Sequence, residues 1–211
     1  MTPDGLSGAS ENLRELASRG VQRAYAKGRL LIEEGDVGDT LYIIVKGRLR
    51  AFSAADNGRE ITYGTYGPGE YVGELSLDGG PRSASVETLE RTTCAVVTRH
   101  TLEAFIAERP AFAFEVIAKV IARARAATVS ARQMAVNDVY GRLKYLLDSL
   151  AVVQPDGTRR IDERMTHQAL ANLVGCDRAM VSRIMKGLER GNYVRQDGSR
   201  WVLVPSLPPR W

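Results

Sequence analysis

Residues 73–84 read Gly73-Glu74-Leu75-Ser76-Leu77-Asp78-Gly79-Gly80-Pro81-Arg82-Ser83-Ala84, GELSLDGGPRSA. A carboxylate and a guanidinium stand eight residues apart among glycine, proline and small side chains. A solvated surface would be richer in Lys and Glu, and a plain core strand would carry no charge. Two isolated charges held by turn residues look like a site; a structural Glu–Arg ion pair that closes a loop is the alternative. The glycines allow turns and close backbone approach in both cases.

Around this segment, residues 21–99 form short apolar or alternating runs: LYIIV, LRAFSA, ITYGTY, YVGEL, ASVETL and CAVVT. Turn residues separate them at Gly28, Gly35-Asp36, Gly38-Asp39, Gly47, Asn57-Gly58, Pro68-Gly69 and Gly79-Gly80. Strands of this length with such regular punctuation predict an antiparallel sandwich or barrel. Before it, residues 1–20 predict a loose start and a short helix with Leu13 and Leu16 on one face. After it, Arg109-Pro110 ends a short helix over 101–107, and a long helix follows over 111–136. Its apolar and small residues Phe114, Ile117, Ile121, Ala124, Thr128, Ala131 and Ala135 recur in steps of three and four, a heptad seam. Arg123, Arg125 and Arg132 lie off the seam. The pattern predicts a parallel dimer helix; a helix lying on its own domain is the alternative.

The C-terminal third begins with a helix over 138–151 and the loop Gln154-Pro155-Asp156-Gly157. Within THQALANLVGCDRAMVSRIMKGLERGNYV, residues 166–194, Ala171, Gly175, Val181 and Ile184 have the spacing of a helix-turn-helix: a small residue where two helices touch, a glycine turn, and two apolar pins. Asp177 is a natural N-cap for the second helix. That helix carries Val181, Ile184, Met185 and Leu188 on one side. Arg178, Ala179, Ser182, Arg183 and Lys186 occupy the other, with three cations and no carboxylate. Arginine forks onto the O6 and N7 of guanine, so this face suits the major groove of DNA. Asp197-Gly198 between YVRQ and SRWVLV predicts a hairpin that serves as a wing.

Charge agrees with this division. The 211 residues carry 29 Lys/Arg and 25 Asp/Glu, a net +4. Residues 1–137 hold 17 of each, and residues 138–211 hold 12 and 8, so the whole excess lies in the C-terminal third. Apolar runs are too short to cross a bilayer, where about 20 residues are needed. No secretory leader is legible at the start, and Cys94 and Cys176 form no CxxC or metal-ligand spacing. A reduced, cytoplasmic protein without membrane contact is expected. His100 and His167 are isolated, and no Ser-His-Asp or metal constellation stands out, so no enzyme is expected.

On GELSLDGGPRSA, the glycine-punctuated strands, the long helix, DVYGRL at 138–143 and VGCDRAMVSRIMKGLE, the chain resembles the cyclic-AMP receptor protein/FNR family of bacterial transcription regulators, in its cyclic-AMP receptor-like branch. The resemblance covers nearly the whole sequence. It implies an α+β fold. An N-terminal jelly-roll β-roll of the cyclic-nucleotide-binding type would span 1–110, a dimerisation helix 111–137, and a winged helix-turn-helix DNA-binding domain 138–211. It implies a ligand set of Gly73, Glu74, Leu75, Arg82, Ser83, Ala84 and Thr128. Arg82 and Ser83 would face the cyclic phosphate, and Glu74 the ribose 2′-hydroxyl. Aligned through DVYGRL, the adjacent hydroxyl residues that reach the base in cyclic-AMP binders are here Ala127 and Thr128, so one hydroxyl is missing. It implies DNA contacts from Arg178, Ala179, Ser182, Arg183 and Lys186. Ala179 stands where the family's usual Glu would accept from cytosine, which predicts a different operator at that step. The expected protein is a homodimeric, sequence-specific regulator that binds a near-palindromic site, meets RNA polymerase, and is controlled by a cyclic nucleotide, cyclic AMP first. Cyclic GMP or cyclic di-GMP control, ligand-independent regulation, and a cyclic-nucleotide-regulated enzyme subunit are the alternatives. No N-terminal cysteine cluster or well-placed axial ligand is present, so no iron–sulfur cluster, haem or metal is expected. Arg82→Leu is expected to abolish nucleotide binding and leave the fold intact.

Overall fold

The computed structural model describes residues 4–155, 157–198, 200–204 and 206–210. The start of the predicted N-terminal segment, Asp156 of the predicted 154–157 loop and Ser199 of the hairpin lie outside the described residues. A single 3-10 turn, Asp4–Leu6, precedes α1 (Glu11–Arg19), β1 (Val21–Tyr25), β2 (Leu30–Ile32), β3 (Thr40–Lys46), β4 (Leu49–Ala54), β5 (Glu60–Tyr66), β6 (Tyr71–Val72), β7 (Ser85–Thr88) and β8 (Thr92–Thr98). Then come α2 (Arg99–Glu108), α3 (Ala111–Val136), α4 (Val139–Leu150), β9 (Val152–Val153), β10 (Arg159–Ile161), α5 (His167–Val174), α6 (Arg178–Arg190), β11 (Val194–Asp197) and β12 (Arg200–Leu203).

The chain divides into two compact units: Met1–Ser53 with Thr62–Ala126, and Ala54–Ile61 with Ala127–Trp211. In the first, two four-stranded sheets run in the orders β1-β8-β3-β6 and β2-β7-β4-β5. The pairings β1–β8, β3–β8, β3–β6, β2–β7 and β4–β7 are antiparallel. The run LYIIV is continuous rather than alternating because β3 is covered on both faces. Leu41, Ile43 and Val45 pack with Leu13, Leu16, Leu102, Phe105 and Phe112 of the helices. Ile44 points the other way, into a core with Ile32, Leu49, Ala51, Val86 and Cys94 from both sheets. Helix α1 is started by Ser10, whose hydroxyl accepts from the Leu13 amide at 3.1 Å.

Two local readings change. YVGEL was expected as a strand, but β6 stops at Val72 and Glu74–Ser76 form a 3-10 turn. Gly73 causes the break: its φ is +96°, and a Cβ there would lie 2.5 Å from the Thr40 carbonyl oxygen. Strand β1 is largely exposed and β2 is only three residues long, so no alternating pattern announces them. Residues Ala54–Ile61, between β4 and β5, group with the second unit. There Asn172 Nδ2 donates to Glu60 Oε2 at 2.8 Å, and Ile61 lies beside the Gly175 turn.

In the second unit, α4, α5 and α6 pack with the sheet β11-β12-β10-β9 around Leu143, Leu147, Leu170, Val181, Leu188 and Trp201. The side chains of Asp138, Thr166 and Asp177 accept from the Gly141, Ala169 and Met180 amides, capping all three helices. Among the described residues no helix is long and apolar enough to cross a membrane.

Burial pushes the Cys94 thiol from 9.0 up to about 12. The fold therefore holds a proton there that the unfolded chain releases earlier, and this contribution to stability is present below pH 9 and lost as pH rises towards 12. Iodoacetamide at pH 8 is expected to spare Cys94 in the folded protein and to modify it on denaturation, as read by mass spectrometry. Labelling of Cys94 in the native state would contradict its burial.

Candidate ligand pocket and DNA-binding face

Segment 73–84 is drawn together by Arg82, whose side chain is turned inward and whose residue is only 6% exposed. Its Nη1 donates to the Gly73 carbonyl at 2.9 Å and to Ser76 Oγ at 2.7 Å. Its Nη2 donates to the carbonyl and the hydroxyl of Thr40, both at 3.0 Å. Its backbone N–H donates to Asp36. Gly38 stands against the guanidinium, where a Cβ would come within 2.8 Å of Nη2. Burial lowers the Arg82 pKa, yet a guanidinium remains cationic at neutral pH. Ser83 is exposed, Ala84 half-buried, and Leu75 exposed at 49%.

Glu74 and Arg82 do not pair with each other. Glu74, with a side chain 1% exposed, takes its ion pair from Arg123 of α3. Arg123 also donates to the Tyr71 carbonyl at 2.5 Å. Its guanidinium lies 4.6 Å from the ring centre of Tyr66 and 5.7 Å from that of Tyr71. Desolvation pushes the Tyr71 hydroxyl up to about 12. Two buried atoms in this cluster have no hydrogen-bond partner, Glu74 Oε2 and Arg123 Nε. One is an acceptor and the other a donor, so a polar ligand with a hydroxyl would satisfy both.

Arg123 was not among the expected site residues, because the heptad reading placed it off the seam. Its signal lies on another face of the helix. Glu115, Lys119 and Arg123 recur every four residues, and their partners are Asn12, Glu70 and Glu74 of the β-roll. The seam itself is open in the single chain, with Phe114 73%, Ile117 51% and Ile121 46% exposed. Thr128 is exposed on the same helix, in the part assigned to the second unit.

In the helix-turn-helix, Ala171 is fully buried between α5 and α6, and Gly175 takes the left-handed turn at φ 71°. Val181 and Ile184 are buried, while Arg178, Ala179, Arg183 and Lys186 are exposed. Ser182 is half-buried and bonded to His167 Nδ1 at 3.0 Å. His167 stacks on Trp201 of β12, whose Nε1 donates to the Met165 carbonyl. The histidine read as isolated thus links the second helix to the wing. Among the described residues no cluster of His, Cys, Asp and Glu could hold a metal ion.

The cyclic nucleotide-binding domain family matches residues 22–109, and the Crp-like helix-turn-helix domain family matches residues 141–208. A CRP-like cAMP-activated global transcriptional regulator of Mycobacterium tuberculosis (strain ATCC 25618 / H37Rv) is 30% identical over 186 residues, covering 86% of this chain and 83% of that one. The chain belongs to the cyclic-AMP receptor protein/FNR family of transcription regulators. The cyclic AMP receptor protein of Thermus thermophilus is 32% identical over 175 residues, covering 82% of this chain and 79% of its own length. Among solved structures, the c-di-GMP responsive global regulator CLP of Xanthomonas campestris shares the fold with a TM-score of 0.79 at 24% identity, covering 92% of this chain and 98% of that one. These relatives are regulators, not enzymes. The α+β architecture and the DNA-binding helix-turn-helix expected from the sequence are thereby established.

The inward bonds of Arg82 revise the expectation that Arg82→Leu spares the fold. Leucine would remove the guanidinium donors from the Thr40 carbonyl and hydroxyl and from Ser76 Oγ, and would leave the Gly73 carbonyl only its bond from Ser76 Oγ; each acceptor left without a partner costs about 1–3 kcal/mol. Arg82→Leu is expected to lower the thermal midpoint by roughly 5 °C or more, as read by calorimetry. An unchanged midpoint would mean that these contacts carry no stability.

Proposed function

We propose that the protein is a cytoplasmic, homodimeric transcription factor whose affinity for a near-palindromic operator is set by a cyclic nucleotide held between the β-roll and Arg123 of α3. The observation that carries the ligand half is the buried, unpaired Glu74 Oε2 and Arg123 Nε beside the Arg82 segment. A ribose hydroxyl donates to the first and accepts from the second. The cyclic phosphate takes bonds from Arg82, which exchanges carbonyl acceptors for a charged one, and from the Ser83–Ala84 turn. Cyclic AMP is the effector we favour, since the regulator of M. tuberculosis that this chain matches is named as cAMP-activated.

The open Phe114–Ile117–Ile121 edge of α3 supports the dimer. A second copy would cover it, and the ligand would act by biasing that helix pair, which sets the separation of the two α6 helices over successive major grooves. Arg178 and Arg183 read bases, Ala179 meets a thymine methyl, and Lys186 meets a phosphate. The half-buried Ser182 contributes through its His167 bond. The promoter-bound dimer then meets RNA polymerase.

The test starts from an operator selected from random DNA with the full-length protein. Its affinity is measured by fluorescence anisotropy without ligand and with cyclic AMP, cyclic GMP or cyclic di-GMP. Cyclic AMP is expected to tighten binding at least tenfold. Arg183→Ala is expected to flatten the preference at one base pair of each half-site, a loss of about 1–3 kcal/mol per contact. Equal affinity with and without every nucleotide would leave a ligand-independent regulator. Uniform weakening by Arg183→Ala would make that residue a phosphate anchor.

A further inference from the structure

A guanidinium has five N–H groups in a fixed fork. In Arg82 the four on Nη1 and Nη2 are each given to an acceptor of the protein itself: the Gly73 carbonyl, Ser76 Oγ, and the carbonyl and hydroxyl of Thr40. The fifth, on Nε, lies beside Gly38. A Cβ at Gly38 would stand 2.8 Å from Nη2, 2.9 Å from Nε and 3.2 Å from Cζ, so this backbone crowds the Nε–Nη2 edge, one of the two edges that can fork onto an anion. Ser76 Oγ itself reaches the Gly38 and Gly73 carbonyls, at 3.1 and 3.2 Å. The backbone of Arg82 is pinned as well: its N–H donates to the Asp36 carbonyl, and its carbonyl accepts from the Gly35 N–H. What can change partners is therefore the side chain. All four of its acceptors are neutral oxygens.

We infer that Thr40 and Ser76 set the effector affinity of this site: their hydroxyls compete with the cyclic phosphate for the Nη protons of Arg82 and so act as a brake on binding. The inference rests on the cyclic-nucleotide reading above and names what that ligand must displace. A charged acceptor bonds a guanidinium roughly twice as strongly as a neutral one, so a phosphate wins the exchange. Its net gain is reduced by the bonds that Arg82 gives up, because binding begins from a guanidinium already supplied with acceptors. The two carbonyls belong to the backbone and stay whatever the side chains are. The two hydroxyls are this chain's own choice at positions 40 and 76, and neither residue was among the expected ligand contacts.

The experiment is titration calorimetry of cyclic AMP and cyclic GMP into the full-length protein and its Thr40→Val, Thr40→Ser, Ser76→Ala and Thr40→Val/Ser76→Ala variants, with circular dichroism as the fold control. Thr40→Val and Ser76→Ala are each expected to tighten binding, and the double variant to tighten it by roughly tenfold or more. Thr40→Ser keeps the hydroxyl and should keep the affinity of the unaltered protein. Should Ser76→Ala fail to fold, the Thr40→Val and Thr40→Ser pair decides alone. Hydroxyls that merely shape the segment would, on removal, leave affinity unchanged or lower it, which overturns the inference. So would a Thr40→Ser variant as tight as Thr40→Val, since the lost methyl and not the hydroxyl would then carry the effect. If neither the unaltered protein nor any variant binds either nucleotide, the functional reading fails and this inference with it. If the unaltered protein binds and the variants bind no more tightly, only the inference fails.

Discussion

Glu74 holds its carboxylate out of water, and the cation that compensates it comes from α3, 49 residues further along the chain. Neither group would be stable there alone: a carboxylate in a low-dielectric site costs several kcal/mol unless it is paired and hydrogen-bonded. The pair therefore ties the 73–84 segment to the long helix. Lys119–Glu70 and Glu115–Asn12 repeat the tie on the same helix face at more exposed positions. With one face of α3 so committed, the Phe114–Ile117–Ile121 edge is left outward. Under the proposed function, a ligand hydroxyl at Glu74 Oε2 and Arg123 Nε would act on the junction between the 73–84 segment and the helix that would carry the dimer seam.

The second unit separates a packed apolar face of α6 from a cationic face in solvent. Apolar side chains of α6 are spent on α5 and the wing sheet, and capping by Asp177 sets where the helix begins. Its other face keeps Arg178, Arg183 and Lys186 in solvent without a carboxylate among them. His167, stacked on Trp201 and bonded to Ser182, joins the wing to this helix. Within the same unit, Asn172 of α5 donates to Glu60.

Local chemistry was the legible part of the sequence. Turn glycines, the Asp177 cap, the Ala171–Gly175 spacing and the two-faced α6 each follow from one or two residues and fixed helix geometry. Long-range pairing was not. Glu74 and Arg82, eight residues apart, invited pairing with each other, while the fold gave Glu74 to Arg123 and Arg82 to carbonyls and hydroxyls of Thr40, Gly73 and Ser76. A heptad reading ranks helix positions by apolar recurrence, so it passes over a cation whose partner is a buried carboxylate elsewhere. The Glu70/Glu74 and Lys119/Arg123 spacings, both four, were the available signal. Gly73 announced a turn, but only its contact with Thr40 shows that the strand must stop there.

The most direct test of this account is a double-mutant cycle on Glu74 and Arg123, using Glu74→Gln, Arg123→Met and the pair, with stability measured by urea unfolding. Each single change should cost about 3–5 kcal/mol by stranding a buried charge or its partner. The double variant should be less destabilised than the sum of the two, by roughly 2 kcal/mol or more. Strict additivity, or single changes within about 0.5 kcal/mol of the unaltered protein, would show that this pair does not hold the 73–84 segment to the long helix.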